Sequence, residues 1–194
     1  QMSGFELWRT PLPYSARSAP STDGERVYVT TLNNRTVAID AVTGLDLWQH
    51  EGASETTSFV GGAAPAIYSR VVFAPYSTGE LFALKAENGH VLWTETLSPL
   101  RTLSSTAAVS QLRARPVIHK GMLIVLSQSD RIAAIDARTG RRLWDKEIGG
   151  IRTPAVTDEF IFALTTNNHL TCLLRETGQV VWSKSLNDDD GSSD

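Results

Sequence analysis

Few residues in this chain have the types and spacing that chemistry asks for. Four histidines, His50, His90, His119 and His169, stand singly in turns or at strand ends, with no two at metal-ligating spacing. They read as solvated surface residues. Cys172 is the single cysteine, so an internal disulfide is excluded, and its place in a column of small residues reads as a buried structural thiol. Asp188-Asp189-Asp190-Gly191 has the opening of a calcium loop, but no glutamate follows before Asp194. Residues 187–194 therefore read as a disordered acidic tail. Gly61-Gly62 has the backbone freedom to cradle an anion, yet it leads into Pro65 and a strand rather than a helix N-terminus. There is no G-x-S-x-G elbow, no phosphate-binding loop and no G-x-G-x-x-G. The expectation is a protein without catalytic residues, cofactor-binding residues or metal ligands, one that works by contact.

Composition narrows the kind of contact. The 194 residues are 41% hydrophobic and 20% charged, with a net charge of −3. That is an ordinary soluble domain. Nucleic acid would need a basic stripe with interleaved aromatics, and Arg113-Ala114-Arg115 or Arg141-Arg142 is too short to supply one. No apolar run approaches membrane length, so any membrane association is expected only through a lipid anchor that this stretch of sequence does not carry.

The elements that position these residues are set by an internal repeat. Each tryptophan stands four residues after a glycine: Gly4/Trp8, Gly44/Trp48, Gly89/Trp93, Gly140/Trp144 and Gly178/Trp182. Pro20, Pro65, Pro116 and Pro154 each precede a tryptophan by 28 residues. The gaps from each Trp to the next Pro are 12, 17, 23 and 10 residues, so all insertion falls in one connection per unit. Within the unit from Arg115, a short strand to Ile118 turns at His119-Lys120-Gly121 into an apolar strand from Met122 to Ser127. Ser129-Asp130 then turns into Ile132–Asp136, and Arg138-Thr139-Gly140 turns into Arg142–Lys146. Asn33-Asn34, Thr78-Gly79 and Asn167-Asn168 match the second of these turns. Ala38, Ala83, Ala134 and Cys172, ten residues before each of the last four tryptophans, mark where one sheet packs closely on another.

About 40 residues with four antiparallel strands and one Trp make a β-propeller blade. The expected fold is all-β, with blades at about 17–50, 62–97, 113–148 and 152–186. The piece 4–10 reads as a fourth strand that lacks its first three, so the chain reads as part of a larger ring whose open stack can self-associate. Strand alternation puts the Thr-Gly turns on one face. The inter-blade connections and the turns between second and third strands share the other.

Ala38-Ile39-Asp40-Ala41-Val42-Thr43-Gly44 with Trp48, repeated as Ala134-Ile135-Asp136-Ala137-Arg138-Thr139-Gly140 with Trp144, resembles the blade motif of pyrroloquinoline-quinone-type propellers. Leu7 to about Leu186 is most similar to the BamB family of outer-membrane protein assembly factors, particularly through Gly61–Pro65, Pro75–Leu84 and Glu87–Trp93. The resemblance implies an eight-bladed periplasmic propeller at the inner face of the outer membrane. It also implies a scaffold that binds the POTRA domains of the barrel-inserting protein BamA. The family's lipid-bearing cysteine has no counterpart here.

The family's contact residues lie in two consecutive inter-blade connections, which correspond to the 17-residue and 23-residue gaps. Carried over by position, they are Thr57, Phe59 and Val60 in the first, and Gln111, Leu112 and Arg113 in the second. Val60 stands where the family has arginine, and Gln111 and Arg113 where it often has acids. Phe59 is the expected aromatic anchor, with Leu112 adding burial. Two other classes share the fold: an extracytoplasmic sensor or ligand-binding propeller, and a fragment of a quinoprotein dehydrogenase, which would need an enclosed quinone and calcium site.

Overall fold

Repetition in sequence becomes repetition in space. A computed structural model describes residues 4–53, 62–97, 111–128 and 131–187. Among them sixteen strands form four four-stranded antiparallel sheets. The first sheet contains β1 (Ser21–Thr22), β2 (Arg26–Thr30), β3 (Arg35–Asp40) and β4 (Asp46–Glu51), and the second β5 (Ala66–Tyr68), β6 (Val71–Pro75), β7 (Glu80–Lys85) and β8 (Val91–Thr96). The third holds β9 (Val117–His119), β10 (Met122–Leu126), β11 (Ile132–Asp136) and β12 (Arg142–Lys146), and the fourth β13 (Ala155–Val156), β14 (Phe160–Leu164), β15 (His169–Leu174) and β16 (Val180–Ser185). Each sheet is a simple meander, and β1, β5, β9 and β13 neighbour one another. The first strands therefore lie innermost and the tryptophan-bearing fourth strands outermost, the radial order of propeller blades. The fold is the all-β propeller that the repeat predicts.

The glycine before each tryptophan closes a turn that only certain residues can make. Asp40 Oδ1 accepts from the backbone N–H groups of Val42 (3.0 Å) and Thr43 (2.7 Å) and from Thr43 Oγ1 (2.9 Å), and Asp136 repeats this with Arg138 and Thr139. These bonds hold both carboxyl groups below the usual carboxylate range. The chain then reverses through Gly44 at φ 73° and Gly140 at φ 74°, a region that costs L-residues a Cβ clash.

The same turn receives the preceding blade's tryptophan. Trp48 Nε1 donates to Ala86 O (2.9 Å), Trp93 Nε1 to Ala137 O (3.1 Å) and Trp144 Nε1 to Arg175 O (2.9 Å). Each indole lies on the glycine of that turn: a β-carbon at Gly89, Gly140 or Gly178 would stand 2.6, 2.6 or 2.5 Å from the ring. Glycine is thus required twice, once for its φ and once for its missing side chain. Inward of each indole the cross-strand column is conserved in form, as Tyr28↔Ala38↔Trp48, Phe73↔Ala83↔Trp93, Ile124↔Ala134↔Trp144 and Phe162↔Cys172↔Trp182. The first three columns pack against the following sheet, where Val72, Ala74 and Leu84, then Leu123, Val125 and Ile135, then Ile161, Ala163 and Leu173 complete the core. Small residues at the centre let the sheets close up without voids. Cys172 is 2% exposed, and burial pushes its thiol pKa up, as expected for a packing residue.

Residues 4–10 differ from expectation. They form no strand in the structure. Trp8 still occupies its place: its Nε1 donates to Ala41 O (3.0 Å), its ring lies on Gly44, and Thr10 Oγ1 donates to Gly44 O. Indole docking therefore does not need the fourth strand.

Candidate partner-binding face

The two faces of the propeller are stitched differently. On the side of the Thr-Gly turns, Ala41, Ala86, Ala137 and Arg175 donate backbone N–H bonds to Glu25, Arg70, Gly121 and Glu159 in the first turn of their own blades. On the opposite side the connections leave the fourth strands, where Gly52, Leu97 and Leu186 donate to Asn34, Gly79 and Asn168 in the turns between second and third strands. The long connections are thus rooted by backbone bonds on one face.

The first connection is rooted most heavily. Asn34, 1% exposed and at φ 56°, accepts on Oδ1 from Arg17 Nη1 (2.8 Å), Ser77 N (3.0 Å) and Ser77 Oγ (2.8 Å), while its Nδ2 donates to Ala53 O (3.0 Å). Ala53 N in turn donates to Glu80 Oε2 (3.1 Å). Gly52 lies flat on Tyr76, where a β-carbon would come within 2.3 Å of the ring, and at Gly62 one would come 1.9 Å from Arg17 Nε. Both ends of the stretch 54–61 are therefore held by one buried polar cluster built from two blades. None of its members was picked out in the sequence as a site residue. Asn34 was visible only as a turn residue, because its side-chain partners Arg17, Ala53 and Ser77 lie up to 43 positions away.

An aromatic group flanks this cluster. His50 stacks on Tyr76 (centroids 5.9 Å apart, planes 9°) and against Phe82 (4.5 Å), with Nδ1 2.8 Å from Tyr76 Oη, which lies 3.0 Å from Thr36 Oγ1. Burial lowers the His50 pKa, partly countered by the nearby Glu80 carboxylate, and burial raises that of Tyr76. The expectation of a solvated histidine is corrected here: His50 is half-buried, because Tyr76 and Phe82 of the next blade close over it. His119 is also engaged, with Nε2 2.6 Å from Asp158 Oδ1, which Lys120 Nζ approaches to 2.7 Å on the Thr-Gly face. His90 is exposed and His169 Nδ1 lies 2.9 Å from Asn167 O.

Of the six residues expected to meet a partner, Thr57, Phe59 and Val60 lie outside the described residues. The other three are placed, and two are not at the surface. Leu112 is 0% exposed and belongs to the core cluster between the second and third sheets, so it supplies packing rather than contact area. Gln111 is 3% exposed, and its carbonyl accepts from Gln128 N (2.9 Å), again a root bond. Arg113 is half-exposed and donates to Gln128 Oε1 (3.3 Å), leaving it as the described member that reaches the face. Leu112 looked in sequence like a residue that adds burial to a partner contact, because the sheet that covers it is distant in the chain. Among the described residues no cluster of three or more His, Cys, Asp or Glu side chains is placed to hold a metal ion, and no helix is long and apolar enough to cross a membrane.

Comparison with known proteins converges on one family. The family model for the outer membrane protein assembly factor BamB matches residues 1–184. BamB of Yersinia pestis is 24% identical over 182 residues, covering 94% of this chain and 46% of the relative. An uncharacterized protein of Rickettsia prowazekii is 27% identical over 188 residues, with 95% and 45% covered. The chain spans about half the length of these curated relatives. Among solved structures, BamB from Moraxella catarrhalis superposes with a TM-score of 0.85 at 22% identity, covering 94% of this chain and 55% of that one. The quinohemoprotein alcohol dehydrogenase of Comamonas testosteroni shares the fold, with a TM-score of 0.74 at 16% identity over 89% of this chain and 35% of that one. With the repeat, the blade geometry and a family match over nearly all of its residues, this chain belongs to the family of the outer membrane protein assembly factor BamB.

Proposed function

We propose that this chain acts as a non-catalytic adaptor in the assembly of outer-membrane β-barrels, working in the periplasm and binding the POTRA domains of BamA through its inter-blade connections. The observation that carries the reading is the rooting of the long connections on one face. Asn34, Gly79 and Gln111 carbonyls fix where the two longest ones leave and enter the blades. Rigid roots under variable loops are what a contact surface needs, because binding then costs less ordering entropy. Phe59 is the anchor in this reading and Arg113 lies on the neighbouring connection. Aromatic and arginine side chains are the residues that most often carry interface energy. A lipid anchor would come from outside the present sequence.

The test is binding of the folded chain to purified POTRA domains of its cognate BamA, with Phe59→Glu as the variant. Saturable binding by the parent, lost in the variant, supports the reading. No binding by a chain shown to be folded refutes it for these blades. The likeness to a quinohemoprotein dehydrogenase favours no second reading, since at 16% identity it speaks for the fold alone.

A further inference from the structure

Three seams between neighbouring sheets open on the Thr-Gly face, and the repeat lets them be compared position by position. Twenty-five residues before Trp48, Trp93 and Trp144 stand Asp23, Tyr68 and His119, and twenty-two before them Arg26, Val71 and Met122. Across each seam, six residues before the following blade's tryptophan, stand Glu87, Arg138 and Glu176. The hollow at the first seam is lined by charges that already pair with one another: Arg26 Nη1 lies 3.4 Å from Asp23 Oδ2 and 3.0 Å from Glu25 Oε2, and the Tyr28 hydroxyl donates to Asp23 Oδ2 (2.8 Å). The third seam is clasped shut, with His119 and Lys120 both on Asp158 of the facing blade. The second has neither device. Its walls enclose a cleft of about 470 Å³, within the range of about 300–1,000 Å³ that small-molecule sites occupy. Val71, Phe73, Leu92 and Ala137 give it an apolar lining, and Tyr68 and Arg138 stand on opposite walls. Both side chains are exposed, and among the described residues neither the phenol hydroxyl nor the guanidinium is hydrogen-bonded. The other two charges on the walls are engaged. Lys120 Nζ sits 2.7 Å from Asp158 Oδ1, and Asp136 Oδ1 accepts from Arg138 N, Thr139 N and Thr139 Oγ1.

We propose that this second seam binds a small amphipathic carboxylate, an apolar body the size of an aromatic ring that carries a single acid group. The body lies on Val71, Phe73 and Leu92, and the carboxylate accepts from the Arg138 guanidinium and the Tyr68 hydroxyl. Charge complementarity selects the acid: Arg138 offers a planar fork that takes a carboxylate on two N–H groups, and the facing phenol adds a third donor. One uncommitted cation beside the Asp136 carboxylate matches one negative charge and not the two of a phosphate monoester. The lining selects the body, since apolar surface on both partners leaves water on binding. Where the first seam has Arg26, the second has Val71, and that exchange turns a hollow of paired charges into one with an apolar floor. The cleft lies between the second and third sheets, on the face opposite the rooted connections, so it stands or falls independently of partner binding there.

The test is a methyl-NMR titration of this chain with phenylbutyrate, its neutral amide and acetate, read at the Val71 and Leu92 resonances. Phenylbutyrate should shift both to saturation. The amide should bind about tenfold more weakly or worse, as should phenylbutyrate to Arg138→Gln, a change on an exposed turn. Acetate should move neither methyl. Tyr68→Asp combined with Val71→Arg gives the second seam the ion pair of the first and should abolish the Leu92 shift; Arg138→Gln decides the matter should that double variant lose its β-sheet circular dichroism. No saturable shift at Val71 and Leu92, equal affinity for acid and amide, or an Arg138→Gln chain that binds as the parent does overturns the proposal. Shifts by acetate equal to those by phenylbutyrate would mean an adventitious ion only, and overturn it as well.

Discussion

Replacing Asn34 by glycine separates two roles that one residue plays. Asn34 and Asn168 occupy the same turn in the first and fourth blades, at φ 56° and 57°. Glycine relieves the left-handed strain equally at both. The side chains differ. Asn168 is exposed and donates to Asn187 Oδ1 (3.2 Å), whereas Asn34 is buried and makes four bonds with Arg17, Ser77 and Ala53. Asn34→Gly takes these bonds from Ser77 N–H and Arg17 Nη1, in buried residues, and from Ala53 O, in an exposed one, and each bond lost in the buried part costs about 1–3 kcal/mol. Partial rehydration and the relief of φ offset some of this, so the net loss should be about 2–4 kcal/mol. Asn168→Gly should be within about 0.5 kcal/mol of neutral or slightly stabilising. Urea unfolding followed by tryptophan fluorescence reads the difference directly. In thermal melts each kcal/mol corresponds to about 2–4 °C for a chain of this size. Equal effects of the two substitutions would show that Asn34 is present for its backbone conformation alone and would remove the argument that it roots the first connection.

Gly140→Ala and Gly121→Ala share a positive φ, but a β-carbon at Gly140 meets Trp93 at 2.6 Å while at Gly121 nothing lies within 4 Å. Gly121→Ala should cost about 1 kcal/mol and Gly140→Ala about 1–3 kcal/mol more, with the excess vanishing in a Trp93→Ala background in urea titrations. His50 has a folded pKa depressed chiefly by burial, so protonation favours the unfolded chain. Its contribution is present above the unfolded value near pH 6.5 and is lost as pH falls below it; His50→Gln should flatten the stability profile there, as unfolding midpoints across pH will show. Asp158, bonded by Lys120 and His119, is held down to about 2. Its stabilising contribution is complete above about pH 4 and disappears as pH falls through about 2, and a carboxyl NMR titration should find that midpoint, moved up in Lys120→Ala.

The parts of the fold that could be read in advance are those in which a residue type is forced by its own position. Gly140 must take a positive φ beneath an indole, Asp136 must cap the turn, and Ala134 must be small where two sheets meet, so their spacing announces a blade. The Trp8 segment was read as a strand because the glycine-to-tryptophan spacing persists there. Spacing records where the indole docks and not whether the segment that carries it is a strand. The candidate site was less legible. Leu112 and His50 look like surface residues in their own segments, and their burial is decided by sheets from adjacent blades. Asn34 shows the same limit, since nothing local distinguishes it from Asn168.

Backbone groups, not side chains, tie the base of each connection to its blade: Gly52 to Asn34, Leu97 to Gly79 and Leu186 to Asn168. A bond between main-chain atoms survives nearly any substitution and is indifferent to what lies between its ends. Mutational drift in the connections is thereby insulated from the stability of the sheets, which is why gaps of 12, 17, 23 and 10 residues coexist with an invariant 28-residue unit. A lineage can rewrite its loops while inheriting the scaffold untouched.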